Sequence, residues 1–115
     1  MISTFRKGRH GEQLAANALA DDGWNIVQKN FRGTRGEVDI VAVRDDVISF
    51  IEVKSWETLP MENLEHSISR SKLRRIVAAS REFLAQNPGY DGFRACYEVF
   101  FVSGGRIERI SDVLG

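Results

Sequence analysis

At 115 residues, with 16 basic and 16 acidic side chains and a single cysteine, the chain is long enough for one domain (residues 1–115) with a real core. Cys96 alone excludes an intrachain disulfide framework or a cysteine zinc site and reads as a small buried residue. No run of about 18 apolar residues offers a membrane span, the opening Met1–Gly8 lacks the apolar run of a signal peptide, and zero net charge argues against a uniformly basic nucleic-acid coat; a cytoplasmic protein is expected.

The charges are nevertheless sorted along the chain. Residues 1–35 hold six Lys/Arg and three acids, residues 36–62 two and seven, and residues 63–90 five and two. An acidic centre flanked by basic segments suits a metal-dependent phosphate site, and ordinary scatter is the competing explanation.

In chain order, a first helix is expected from about Gly8 or Gly11 to Asp22, stopped by Gly23, with Leu14, Ala15, Ala18 and Leu19 as its apolar stripe. Glu12 borders that stripe in the first turn, where an acid complements the helix dipole or contributes to a site. Trp24–Asn30 reads as a strand, and Phe31–Gly36 as a glycine-punctuated loop that delivers Arg32 and Arg35.

Two strands follow, Gly36–Val43 and Val47–Lys54, apolar on both faces in mid-strand and so expected inside a covered sheet. Three acids and a lysine interrupt them: Glu37, Asp39, Glu52 and Lys54. With Asp45-Asp46 as a two-residue turn, Arg44 pairs with Val47, Asp39 falls opposite Glu52, and Glu37 opposite Lys54. All four then share one face, with opposed Cβ atoms roughly 5 Å apart. Carboxylates that close repel unless a hard cation such as Mg²⁺ or Mn²⁺ sits between them. A solvated hairpin end, its acids paired with Lys54 and Arg44, is the alternative. A three-residue loop would instead set Glu52 opposite Ile40.

Ser55–Asn63 reads as a loop carrying Trp56, Pro60 and Met61. A long helix is expected from about Leu64 to Gln86, its stripe made of Leu73, Ile76, Val77, Phe83 and Leu84 with Ser80 inside it. Arg70, Lys72, Arg74, Arg75 and Arg81 decorate it, and Asn87-Pro88-Gly89 ends it. Ala95–Val102 and Arg106–Ile110 are the last strands. The order is αβββαββ, an α/β arrangement around one central mixed sheet. His10 and His66 lack metal partners at ligand spacing and add little.

Asp39, Glu52-x-Lys54 and Glu12 on a preceding helix resemble the PD-(D/E)xK nuclease superfamily, which includes restriction endonucleases and archaeal Holliday junction resolvases. Gly8-x-x-Gly11-Glu12-x-x-Ala15, Gly23-Trp24-x-Ile26, Asn30-Phe31-Arg32, Gly36–Val41, Phe50–Lys54 and Lys72-Leu73-Arg74-Arg75 are similar to the YraN-like family of small bacterial proteins, over roughly residues 8–102. The resemblance implies a restriction-endonuclease-like fold and a nuclease role on nucleic acid, most simply DNA. It implies Asp39, Glu52 and Glu12 as metal ligands, with the Val53 carbonyl a further candidate, and Lys54 serving water or phosphate. Arg32, Arg35, Lys72, Arg74 and Arg75 would grip the phosphate backbone. Glu37 matches the YraN-like pattern but is not required by the wider superfamily.

Val38 stands at the proline of the superfamily motif, Trp56 where YraN-like sequences usually have arginine, and Glu98 where they usually have aspartate. Trp56 could stack on an unpaired base or simply pack. Paired cuts across a junction would need a homodimer. A nuclease scaffold without activity, kept for nucleic-acid binding, and a protein-interaction domain are the competing functional classes.

Overall fold

The structure, a computed structural model, describes residues 3–55, 69–111 and 113–114, with side chains from residue 11 onward. Helix α1 (Ser3–Asp21) leads into strands β1 (Asn25–Arg32), β2 (Glu37–Arg44) and β3 (Val47–Ser55). Helix α2 (Arg70–Gln86) and a 3-10 turn at Pro88–Tyr90 follow, then β4 (Arg94–Ser103) and β5 (Arg106–Ile110). The sheet order is β1-β2-β3-β4-β5, parallel between β3 and β4 and antiparallel elsewhere. This is the αβββαββ mixed-sheet architecture expected from the sequence.

Helix α1 stops where Gly23 adopts a left-handed φ of 84°. The Trp24 N–H then donates to the Leu19 carbonyl at 2.9 Å, closing the helix end as a glycine cap does. Its start is earlier than expected. The helix begins at Ser3 and carries no acid in its first turn, so Glu12 lies well inside it and the dipole explanation for that acid fails.

Both sheet faces are covered. On the α1 side, Ala15, Ala16, Leu19 and Trp24 pack with Ile40, Ala42, Ile51 and Phe100. On the α2 side, Ile76, Ala79 and Phe83 pack with Val38, Val41, Ile48 and Phe50. Phe83 stands edge-on to Phe31 and Phe50, with ring centroids 5.3 and 6.0 Å away. Cys96 is only half-buried, near the start of β4 and opposite Ser49.

Helix α2 differs from expectation in two ways. Ser69 has extended backbone and its Oγ accepts the Lys72 N–H at 3.0 Å, so a serine cap starts the helix at Arg70 and no single helix runs from Leu64. Residues 64–68, like Trp56, Met61 and His66, lie outside the described residues, as does the side chain of His10. The buried stripe is Ile76, Ala79, Ser80 and Phe83, while Leu73 and Val77 are only half-buried. Ser80 is accommodated because its hydroxyl donates to the Val77 carbonyl at 2.7 Å and lies 2.8 Å from the Tyr97 hydroxyl.

The hairpin register holds from Arg44↔Val47 to Ile40↔Ile51, around a turn in which Asp45 takes a φ of 56°. Beyond Ile51 the β2–β3 ladder stops. Residues two apart on a regular strand share a face, yet Val38 belongs to the α2-side core and Ile40 to the α1-side core. The break falls at Asp39. Across β1 its register partner is Asn30, between the pairs Lys29↔Ile40 and Phe31↔Val38. Asn30 has a φ of 52°, a left-handed conformation that asparagine tolerates better than most residues. Both strands therefore turn at the same level, and β2 parts from β3.

Candidate metal and phosphate site

The parting of β2 and β3 leaves the Val53 N–H without a ladder partner, and the Asp39 carboxylate takes it at 2.7 Å. Asp39 thus sits between the strands instead of standing on one face with the other acids. Glu52, nearly buried, alternates with Ile48 and Phe50 toward α2. There Lys72 Nζ lies 3.0 Å from its Oε2. Glu52 and Asp39 lie close enough that each carboxyl influences the other's titration. Glu12 approaches from the α1 side. With the Asn30 amide nitrogen turned toward it, Asn30 donates to both Glu12 oxygens at 3.1 and 3.3 Å.

The electrostatics are those of crowded, partly desolvated carboxylates that Lys72 on Glu52 and Lys29 near Glu12 offset only in part. Burial, then the Asp39 charge, pushes Glu52 up to about 7, with Lys72 opposing the rise. Burial also raises Asp39, aided by Glu37 and opposed by the Val53 N–H. Glu12 is raised by burial and by Asp39, and lowered by Asn30 and Lys29. All three shift toward the neutral form, as carboxylates do when desolvated together.

The remaining expected residues are placed as follows. The β2–β3 ladder stops at Ile40↔Ile51, short of the expected Glu37–Lys54 pair. Glu37 pairs with Arg32 of β1, at 3.6 Å, and Arg32 closes β1 instead of lying in a loop. Lys54 is exposed, two residues beyond Glu52 on β3. Lys72, expected on phosphate, is instead the ammonium on Glu52. Arg32, Glu37, Lys72 and Arg75 border a cleft of about 270 Å³ beside the acids. Arg35 and Arg74 face the far side of Arg75. Glu98 is buried away from this cluster, accepting from Ser111 Oγ at 2.8 Å with Arg109 3.7 Å away.

Two contacts hold the basic loop of residues 33–36 against α2. Glu82 accepts the Thr34 N–H at 2.8 Å and its hydroxyl at 2.9 Å. A side chain on Gly36 would meet the Arg75 carbonyl at 2.5 Å, so only glycine allows that approach. Asn30 and Glu82 are supports that the sequence reading did not single out. The Asn30-Phe31-Arg32 motif marks the first, and nothing local marks the second.

Asp39 and Glu52 fit a hard divalent cation. Both are neighbouring, desolvated carboxylates whose charge Lys72 offsets only in part, and Mg²⁺ commonly binds through one or two carboxylates while keeping its waters. Among the described residues no three carboxylate, histidine or cysteine side chains gather closely enough to hold a metal, so Glu12 does not close a three-carboxylate group with Asp39 and Glu52 in this arrangement.

A mixed α/β sheet with an acid pair at a split hairpin defines the structural class. The chain belongs to uncharacterised protein family UPF0102, whose model matches residues 11–110, in agreement with the YraN-like resemblance. It is 43% identical over 77 residues to a UPF0102 protein of Clostridium perfringens, covering 67% of this chain and 63% of that protein. It is 35% identical over 108 residues to one from Granulibacter bethesdensis, covering 93% and 67%, and 36% identical over 104 residues to one from Erythrobacter litoralis, covering 90% and 87%. The chain thus spans just under two thirds of the length of the Clostridium relative. Among the described residues no helix is long and apolar enough to cross a membrane.

Proposed function

We propose that this protein is a metal-dependent endonuclease that hydrolyses nucleic-acid phosphodiesters, with branched or flapped DNA the favoured substrate. The observation that carries the reading is the Asp39–Glu52 pair: the hairpin ladder ends at Ile40↔Ile51, Asp39 takes the Val53 N–H at 2.7 Å, and the buried Glu52 is the residue just before Val53. Asp39 and Glu52 would hold Mg²⁺ or Mn²⁺, with the Val53 carbonyl and Glu12 as further donors. The bound ion would supply Lewis-acid polarisation and a water of lowered pKa.

The chain's own groups do the rest. The Val53 N–H fixes the Asp39 carboxylate, and Asn30 fixes Glu12. Lys54 would orient the attacking water or hold a phosphate oxygen. With a metal on Glu52, Lys72, 3.0 Å from that carboxylate, would be available to a phosphate oxygen. Arg32 and Arg75 border the cleft where the scissile phosphate would sit, and Arg35 and Arg74 grip the backbone further on. These contacts position the strand and read no sequence. The enzyme would act in the cytoplasm, and paired cuts would require a homodimer.

The 3.0 Å ion pair between Lys72 and Glu52 favours one second reading. An ammonium already satisfies that carboxylate, which suits a scaffold that binds nucleic acid without cutting it. The test is incubation of pure protein with duplex, single-stranded, flapped and four-way DNA, and with RNA, in Mg²⁺ and in Mn²⁺. Asp39→Asn and Lys54→Ala run alongside. Cleavage by the wild type alone is expected. Equal cleavage by all three would remove the site, and binding without cleavage in either metal would favour the inactive scaffold.

A further inference from the structure

Helix α2 carries more apolar surface than the sheet uses. Leu73 and Val77 fall outside the buried stripe of Ile76, Ala79, Ser80 and Phe83, and with Leu114 they form the floor of an open groove of about 690 Å³. Its walls are basic: Arg35 from the loop after β1, and Arg70, Arg74, Arg75 and Arg81 from α2. Among the described residues no acid lines it, and none of these five arginines has a carboxylate within ion-pair distance. Five like charges around an apolar floor repel one another, and a chain of zero net charge has no general need of them there. Arg75 also borders the smaller cleft beside the acid pair, so groove and cleft are continuous across that residue.

From this geometry we infer that the groove is a binding site for a single-stranded nucleic-acid segment, the unpaired arm of the substrate whose phosphodiester lies at the acid pair. The charge calls for a polyanion. The floor distinguishes single strand from duplex. A duplex presents phosphates and keeps its base faces stacked inside, leaving Leu73, Val77 and Leu114 uncovered. A single strand offers phosphates to the arginines and base faces to the apolar floor and to the guanidinium planes. The groove therefore accounts for a preference for flapped or branched substrates without any base-specific contact. The inference rests on the nucleic-acid reading above and not on cleavage itself.

The experiment is fluorescence anisotropy without added divalent metal, using labelled oligothymidine, oligouridine and a blunt duplex across a salt series. Arg70→Ala/Arg81→Ala, Leu114→Glu and Asp39→Asn are compared with the wild type. Arg70 and Arg81 lie away from the acid pair, and Leu114 is 47% exposed, so none of these changes threatens the core. The double variant is expected to lose about tenfold in single-strand affinity, with the slope of log K against log salt reduced by about 1.4, the signature of two lost phosphate contacts on a single strand. Leu114→Glu should weaken single-strand binding too, by placing a carboxylate on the floor. Duplex affinity should fall by clearly less, since a duplex leaves the apolar floor uncovered and is not seated along the groove. Asp39→Asn should bind single strands at least as well as the wild type. The oligothymidine and oligouridine arms tell DNA from RNA.

Equal losses on duplex and single strand, or unchanged single-strand binding in the double variant, would overturn the inference. So would a shift from dimer to monomer on sedimentation with single-strand affinity intact, which would make the groove a contact between copies. A wild type that cuts duplex but shows no such single-strand loss would sink the groove and keep the nuclease. A wild type that never cuts but shows the loss would do the reverse.

Discussion

Replacing Glu52 with glutamine tests whether burial and the Asp39 charge outweigh Lys72 at that carboxyl. The Glu52 carboxyl titrates at about 7 in the folded protein, against an ordinary value of 4.5. Between those pH values the folded state keeps a proton that the unfolded chain has lost. The group's contribution to stability is therefore full below about pH 4.5 and is lost as pH rises through about 7. The difference corresponds to about 3 kcal/mol across that window, an order-of-magnitude figure for a side chain that is almost fully buried. Glutamine holds the neutral shape at every pH. Glu52→Gln should therefore match the wild type near pH 4.5 and exceed it at pH 8 by about 2–3 kcal/mol in urea denaturation. Asp39 and Glu12 are raised in the same sense and will leave a shallower residual slope. Asp22 and Glu82 are lowered by their partners and act oppositely, at the acid end below the window. A wild-type stability that is flat or rising from pH 5 to 8, or a variant no more stable than the wild type at pH 8, would refute the reasoning. Mn²⁺ added at pH 8 should raise the wild-type melting temperature and leave the variant's nearly unchanged.

Asp39→Ala removes the acceptor of the Val53 N–H and should cost about 1–3 kcal/mol, whereas Asp39→Asn keeps an acceptor and should cost under about 1 kcal/mol; urea denaturation in the absence of metal separates the two. Phe83→Ala removes the ring that Phe31 and Phe50 pack against and should destabilise by about 3–5 kcal/mol, read from the same assay. Gly36→Ala forces a methyl group against the Arg75 carbonyl, and Glu82→Ala frees Thr34. Both should speed hydrogen exchange or proteolysis at residues 33–36 while β3 and β4 stay protected.

Much of the fold was legible because short-range rules govern it. Gly23 stops α1, the Asp45-Asp46 turn fixes the hairpin register, and continuous apolar runs fill the middles of β2 to β4. The errors lie where longer-range geometry decides. Glu12 looks like a first-turn acid until the helix proves to start at Ser3. Leu73 and Val77 fit a buried stripe by periodicity, yet the sheet stops short of them and arginines take that side. Placing Asp39, Glu52 and Lys54 on one face follows from regular pleating, and a left-handed Asn30 on the neighbouring strand interrupts it. Asn30 reads as an ordinary strand residue because its conformation depends on pairing with a segment about ten residues away. Lys72 is visible as a basic helix residue, but its place on Glu52 depends on how α2 lies across β3.

The central claim is that Asp39 and Glu52 together hold a metal that drives strand cleavage. Its most direct test is the single-turnover cleavage rate of a flapped DNA measured against Mn²⁺ concentration, for the wild type and for Asp39→Asn. A rate that saturates with Mn²⁺ in the wild type, and falls at least about a hundredfold in the variant, is the predicted result. A rate independent of Mn²⁺, or the same in both proteins, would contradict it.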